Sequence, residues 1–357
     1  MRPDPGAAAV TDPPPWRDPS AVRTAAAVVV AAAAGWFLLR ELGPVIRPLI
    51  FAVMLGYVIL PYHARLRLRM SAPTSLALLG GVAVVVVAGL ALVIYASALA
   101  LAEDLPDLQR RAVALLHGGD DWVKAHLPWL HRTGDGKQIE EQLAAQVANV
   151  VAPVLAATAG IVGDAVVIGL YLLFLLGAAP RLPERVRAAY PPERADAILK
   201  VAGEVNAAIV SYLKAKVISS LAIAAPVGLL LAIFGVPFSP LWAVLTFLCN
   251  FIPYVGSVVA YLLPVGFAFL QLPFGWQPVT LGVLVLGCHT ASAMLVEPML
   301  LGRAVGLTPL VILGSLAFWG LLWGVSGMFL AVPLTVVAVI VMGHFDSTRP
   351  VARLLGG

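Results

Sequence analysis

Charge is scarce in this chain. Asp, Glu, Lys and Arg supply 12% of its 357 residues, against about 25% in an ordinary soluble domain. A water-soluble globular fold is excluded on that ground. Cysteine is nearly missing as well. Cys249 and Cys288 both lie in apolar runs, where they form no disulfide framework and no metal-ligand spacing, and they read as buried thiols. No HExxH helix and no glycine-rich loop ending in Lys-Ser/Thr occurs. Neither a metalloprotease nor an ATP-driven pump is therefore supported, and no cofactor is implied. The ten-residue strands of alternating polarity that build a membrane β-barrel are also absent. The basic excess of +4, with a pI near 9.2, does not call for nucleic acid. Basic residues flanking membrane spans give the same balance through the positive-inside rule.

What fills the chain is apolar sequence. Hydrophobic residues make up 61% and the mean hydropathy is +0.94. This predicts an all-α polytopic membrane protein with about six full spans plus two broken, re-entrant helical hairpins. The first broken stretch, Pro240 to Val265, reads PLWAVLTFLCNFIPYVGSVVAYLLPV. With its apolar continuation to Leu270 it is too long for one span, yet each half beside the Asn250–Gly256 interruption is too short for the roughly 20 residues a crossing needs. Pro253 removes a backbone donor and ends a helix near it. Backbone freed at membrane depth is tolerated only inside protein or beside a water-filled cavity, so the interruption reads as a site.

The same plan returns 69 residues later in Pro309 to Leu334, PLVILGSLAFWGLLWGVSGMFLAVPL. Aligned without gaps, Pro240 meets Pro309, Leu241 meets Leu310, Ser257 meets Ser326 and Pro264 meets Pro333; four of 26 positions are identical. Paired interrupted segments in two halves point to a transporter's binding site and to an inverted repeat. Shared composition is the bland explanation of the same likeness.

In chain order, residues 1–22 are expected to be a disordered cytoplasmic tail, because they are polar and Pro-rich. Three spans follow within 23–102. Arg65, Arg67 and Arg69 make the loop after the second span cytoplasmic. Residues 103–149 carry five Lys/Arg and eight Asp/Glu, with Leu105 and Leu108, then Ile139, Leu143 and Val147, at helical spacing. They are expected to be an extracytoplasmic helical excursion, with His117, His126 and His131 solvated rather than metal-binding. The fourth span falls in 150–178. Residues 179–216, with seven Lys/Arg against four Asp/Glu, are expected to be a cytoplasmic amphipathic helical segment along the membrane surface. Its stripe is Ile198, Val201, Val205, Ile209 and Tyr212. Lys214 and Lys216 stand at its junction with the next span. The transport core is 217–346, with broken hairpins at 240–270 and 307–343, and 347–357 form a cytoplasmic tail. If both hairpins are re-entrant, the uncharged loop 271–277 is outside, Arg303 is inside, and both termini are cytoplasmic.

The candidate substrate-binding residues are those of the two tips: Asn250, Pro253, Tyr254, Gly256 and Ser257, with Trp323, Ser326 and Gly327. Asn250 supplies two donors and an acceptor, and Tyr254, Ser257 and Ser326 supply hydroxyls. Half-helix ends add unpaired N–H and C=O groups suited to a polar solute or a cation. The ion-coupling candidates are Asp164, His289 and Glu297, because ionisable groups at membrane depth are costly and usually functional. Each has a plainer reading: Asp164 wetted near the membrane face, His289 satisfied by packing, Glu297 paired with Arg303 at a helix end. No metal site is expected.

The residues then show a likeness. FIPYVG at 251–256 with Pro264, followed by EPMLLGRAVGLTPLVILGSLAFWGLLWGVSGMFLAVPL at 297–334, resembles the autoinducer-2 exporter family of bacterial permeases. LGPVIRPLIFAVMLGYVILPYHARLRLR at 42–69 is similar to its early spans, and YPPERADAILKVAGEVNAAIVSYLKAKV at 190–217 is similar more loosely. The likeness covers most of the chain from about residue 40. It departs at Ala215–Lys216, where the family tends to have Gly-Gln, and at Gly177–Pro180, where it often has an acidic residue. The resemblance implies a permease or exporter in the bacterial inner membrane that forms homo-oligomers. Some members are linked with export of autoinducer-2, others with sodium–proton exchange. A small polar solute or ion is thus the expected substrate, the lipid bilayer the other partner, and a sodium/proton antiporter the alternative.

Two further readings compete. Gly324-Val325-Ser326-Gly327 matches the GxSG of intramembrane serine proteases, which also need a histidine base on another helix. His289 precedes that serine and His344 follows it in the same segment, an order unlike that family's. A membrane scaffold is the last reading, and it has no need of paired hairpins with polar tips.

Overall fold

The computed structural model describes residues 19–126, 163–273, 275–301 and 306–356, and these form an all-helical membrane protein. The helices are α1 (Pro19–Glu41), α2 (Gly43–Leu66), α3 (Ala72–His126), α4 (163–178), α5 (Leu182–Ala189), α6 (Pro192–Ile233), α7 (Ser239–Cys249), α8 (Val255–Gln271), α9 (Trp276–Ala291), α10 (Glu297–Leu301), α11 (Pro309–Gly343) and α12 (Arg349–Leu355). Six apolar segments have the length and composition to cross a membrane: Gly43–His63, Pro73–Asp104, Gly163–Ala189, Pro192–Ile233, Trp276–Leu300 and Pro309–Gly343, the last divided at Gly324. The helices α7 and α8, with 11 and 17 residues, are too short to do so.

The spine is α6. It is 42 residues of unbroken helix, roughly 63 Å at 1.5 Å per residue, and it touches α2, α5, α7, α9, α10 and α11. No boundary interrupts it at 216/217. The stripe expected to face the membrane surface is instead covered by protein along most of its length. Val205 and Ile209 pack with Met54 of α2 and with Leu322, Trp323 and Leu330 of α11. Tyr212 packs with Val332 and Val336, while Ile198 at the stripe's start stays exposed. The far half of α6 packs into a second core: Ile223, Val227 and Leu231 meet Trp242 of α7, Val265 and Phe267 of α8, and Leu281 and Val285 of α9. Small residues let these helices close on one another, as packing in lipid requires. Gly228 of α6 faces the Ala243 Cβ of α7.

The helix α3 runs on from the third span without a break, so the segment from 103 starts as its continuation. There Leu108 is buried in the second core, and Arg111 donates to the Gln271 carbonyl and side chain at the end of α8. Residues 127–149, the tail 1–18, the start of the fourth span and Arg303 lie outside the described residues. Between the two cores of α6 lie Lys216, Ser219 and Ser220, all buried polar residues.

Candidate functional site

The first break is built by local chemistry. Helix α7 stops at Cys249, and the Ile252 N–H closes a tight turn onto the Cys249 carbonyl at 2.9 Å. Pro253 has no N–H with which to continue the ladder. The Val255 N–H then donates back to the Pro253 carbonyl at 2.7 Å, around Tyr254 at φ 61° and ψ −63°. This is a three-residue γ-turn of the strained, positive-φ kind. The chain has now reversed. Gly256 sits so close to the end of α7 that a Cβ there would stand 1.7 Å from the Cys249 oxygen.

The reversal stops the Tyr254 N–H from reaching the Asn250 carbonyl, and a side chain takes that acceptor. Lys216 Nζ donates to Asn250 O at 3.1 Å and to Glu297 Oε1 at 2.8 Å. The Asn250 side-chain amide donates to Ser220 Oγ at 3.1 Å and to Ser219 Oγ at 3.4 Å. Ser219 in turn donates to the Lys216 carbonyl. Lys216 is only 3% exposed, whereas the Glu297 side chain keeps 30%. An ammonium buried so deeply is tolerated only when paired and hydrogen-bonded. The C-terminal end of α7, with its partial negative charge, adds to the attraction.

Glu297 is aimed by an irregular turn. Residues Ser292–Val296 between α9 and α10 are π-helical, and the Glu297 N–H bonds Ser292 O. Pro298 removes a donor and crowds the carbonyl four residues back, which a widened turn relieves. Such turns often mark functional sites. Thr246 Oγ1, Ser292 Oγ and the Tyr212 hydroxyl are buried without a hydrogen-bond partner among the described residues. Each stands about one helical turn before a network member: Asn250, Glu297 and Lys216 respectively.

The second stretch also turns back. Gly324 interrupts α11 at φ 64° and ψ −141°, a conformation that only glycine adopts readily. A Cβ on Gly327 would stand 1.9 Å from the Trp319 oxygen, whereas residues eight apart in a straight helix are about 12 Å apart. The positive φ values at Tyr254 and Gly324 are 70 residues apart, one more than in the gapless alignment. The two stretches touch: Phe251 stacks on Phe329 at 4.6 Å, and Ile252 shares a cluster with Leu316 and Ala331.

The family model of the AI-2E family transporters matches residues 26–346 of this sequence, nearly its whole length. The chain belongs to that family. A relative named "Putative transport protein" in Haemophilus influenzae is 34% identical over 214 residues, 59% of this chain and 61% of that protein. "Putative transport protein MT0215" of Mycobacterium tuberculosis is 29% identical over 306 residues, 83% of this chain and 82% of that one. "AI-2 transport protein TqsA" of Escherichia coli K12 is 32% identical over 188 residues, 52% of this chain and 53% of its own. The matched parts thus span between about half and four-fifths of these relatives' lengths. With its apolar helices, this AI-2E family member is a multi-pass bacterial membrane protein.

In this AI-2E family chain the sequence-predicted site residues do not all converge. Asn250 and Glu297 meet through Lys216, which pairs with the Glu297 carboxylate; the expected partner Arg303 lies outside the described residues. Pro253, Tyr254 and Gly256 shape the turn, while Tyr254 and Ser257 stay exposed. Trp323 is committed elsewhere: its Nε1 donates to Leu39 O at 2.9 Å, tying α11 to the end of α1. Ser326 is partly exposed and Gly327 buried at the second turn. Asp164 is exposed on α4, and His289 packs edge-on to Tyr261 with Nε2 buried and, among the described residues, unpartnered. No described histidine pairs with Ser326; His344 reaches Glu204 and Ile340 O, and His63 bonds Ser75. Among the described residues no group of three or more His, Cys, Asp or Glu could hold a metal. Lys216, Ser219, Ser220 and Thr246 are functional candidates that the sequence pattern did not single out. The available signal was a lysine placed directly before an apolar helical run.

Proposed function

We propose that this chain is a permease or exporter of the bacterial cytoplasmic membrane that moves a small polar solute or an ion, passively or coupled to an ion. Its site lies at the break between α7 and α8. The observation that carries this reading is the buried Lys216 ammonium, bonded to the freed Asn250 carbonyl and to Glu297. A broken helix end in an apolar bundle, presenting backbone and charge, is how membrane carriers bind polar cargo. The two reversed stretches support an inverted repeat of re-entrant hairpins, with both termini cytoplasmic. Autoinducer-2 is the first solute to test, since a relative bears the name AI-2 transport protein. Homo-oligomeric assembly would draw on the bare apolar face of α3.

Proteoliposomes loaded with candidate solutes test it. Asn250→Ala should cut solute flux about tenfold, the weight of one contact near 1.4 kcal/mol, while the yield of folded protein holds. Wild-type flux equal to that of empty vesicles, over a solute panel with and without ion gradients, would reject transport. Sodium–proton exchange is the second reading, favoured by the ammonium–carboxylate pair, which sodium would have to open. An imposed sodium gradient that acidifies or alkalinises the lumen of vesicles containing the protein, but not of empty ones, would establish it.

A further inference from the structure

We propose that Lys216 is a tethered cation. Its ammonium fills a monovalent-cation place built from the C-terminal end of α7 and the Glu297 carboxylate, so that the chain binds no free sodium, lithium or potassium there. This rests on the transporter reading of the same site and goes against sodium exchange at this position.

The argument starts from the donor set. The groups that hold Lys216 Nζ are oxygen acceptors: a main-chain carbonyl freed at a helix break, 3.1 Å away, and a carboxylate, 2.8 Å away. Unwound carbonyls and half-helix C-terminal ends are what membrane carriers use to coordinate alkali cations. The helix macrodipole places partial negative charge at that end of α7, and α7 brings no basic residue of its own to balance it. An ammonium has three donors; two are used, and the third has no partner among the described residues. Independently, among the described residues Thr246 Oγ1 is fully buried and unpartnered one turn before Asn250, and Ser292 Oγ is buried and unpartnered one π-turn before Glu297. Both hydroxyls can accept from a cation, and neither is needed by the backbone. The two elements that hold the lysine therefore carry buried acceptor oxygens beyond the two it uses. This is expected of a cation cage occupied by a side chain and not of a simple ion pair.

The position of the charge supports the same view. Lys216 stands at the middle of α6, between its two apolar cores, and the ammonium and carboxylate neutralise each other inside the bundle. Without the lysine, the carboxylate and the helix end would leave net negative charge in an apolar surround, which a free cation would compensate.

Removing the ammonium should open the place. In detergent, at constant ionic strength, the melting temperature of the wild type should be unchanged when choline chloride is replaced by sodium, lithium or potassium chloride. Lys216→Met should instead melt higher with at least one of these cations, by a shift that grows with the logarithm of its concentration, as linkage requires. Radioactive sodium, or rubidium in place of potassium, should bind saturably to the same variant. Both effects should vanish in Lys216→Met/Glu297→Gln, which lacks the carboxylate. A variant that folds only when an alkali cation is present during purification counts as support.

Lys216→Met that is folded yet silent to all three cations overturns the proposal. So does saturable binding to the wild type that Glu297→Gln abolishes, and that arm stands even if every Lys216 variant fails to fold. Flux enters none of these readouts. A wild type that carries no solute sinks the transporter reading and leaves the cation result standing; a silent variant beside active wild-type flux does the reverse.

Discussion

At Lys216 one side chain joins three separate parts of the chain: its own helix α6, the broken end of α7, and Glu297 at the start of α10. Taking one partner from such a pair strands the other. Losses of about 3–5 kcal/mol are typical when the pair is fully buried. Glu297 keeps 30% of its side chain exposed, so water relieves part of the cost and about 2–3 kcal/mol is expected here. Lys216→Met in choline chloride should therefore unfold at lower denaturant or temperature than the wild type. Lys216→Met/Glu297→Gln should recover a good part of the loss, because no charge is left behind. A double-mutant cycle measures that coupling, and additive losses from the two substitutions would show that the pair does not act as a unit. Asn250 plays a different part: its carbonyl meets the ammonium while its amide holds Ser219 and Ser220. Asn250→Ala keeps the carbonyl, so its effect should appear in flux more than in stability.

The broken stretches are governed by backbone geometry. Tyr254 holds φ 61° and ψ −63° although it is not glycine, a strain of about 1–3 kcal/mol. Tyr254→Gly should relieve it, less the ~0.4–1 kcal/mol by which glycine loosens the unfolded chain, and raise the melting temperature in detergent. A lower melting temperature would mean that the Tyr254 ring holds the turn through its contacts. The glycines at the two turns act in the opposite sense. At Gly256 and Gly327 a methyl group would sit 1.7 Å and 1.9 Å from a backbone oxygen, and no rotamer change can move it away. Gly327→Ala should push the halves of α11 apart and loosen the cluster of Ile252, Leu316 and Ala331. Paired cysteines replacing Leu316 and Ala331, in a Cys249/Cys288-free background, would then crosslink less efficiently than with Gly327 in place. Unchanged crosslinking would show that the reversal at Gly324 tolerates the wider spacing.

For the whole molecule, the charge pattern sets the expected orientation. Arg65 in the last turn of α2, and Arg67 and Arg69 just beyond it, are exposed, and short loops rich in arginine stay on the cytoplasmic side. Single cysteines at positions 120 and 190, again in a Cys249/Cys288-free background, should respond oppositely to an impermeant thiol reagent in intact cells. Position 120 should label and position 190 should be protected. Labelling at 190 would invert the topology, and with it the side from which the α7–α8 break opens. The bundle itself is held by packing more than by water-driven burial, because lipid is as apolar as the helices. This is why close contacts such as Gly228 on Ala243, and polar joints such as His63 Nδ1 to Ser75 Oγ at 2.9 Å, stand where α6 meets α7 and α2 meets α3.

Composition alone was enough to establish a polytopic helical protein, because 12% charge and long apolar runs leave no other solvent but lipid. The two interruptions were also legible, at Asn250–Gly256 and near Ser326, since proline and glycine act on their own backbone wherever the rest of the chain lies. Asn250 and Glu297 stood out for a similar reason: a polar side chain in an apolar run is costly whatever its neighbours are. Their meeting was not legible. Lys216 looked like the last residue of a basic surface segment, because four of the seven basic residues before the next span precede any apolar stretch. Only the unbroken course of α6 carries it between two cores and brings its ammonium to a carbonyl 34 residues away and a carboxylate 81 residues away. The same holds for Trp323, which looked like part of a hairpin tip and instead ties α11 to α1 across 284 residues. Local chemistry fixed where the chain breaks and which groups lipid will not tolerate alone. Which of those groups satisfy one another depends on distances between segments far apart in sequence, and the packing of α6 against both broken stretches sets those distances.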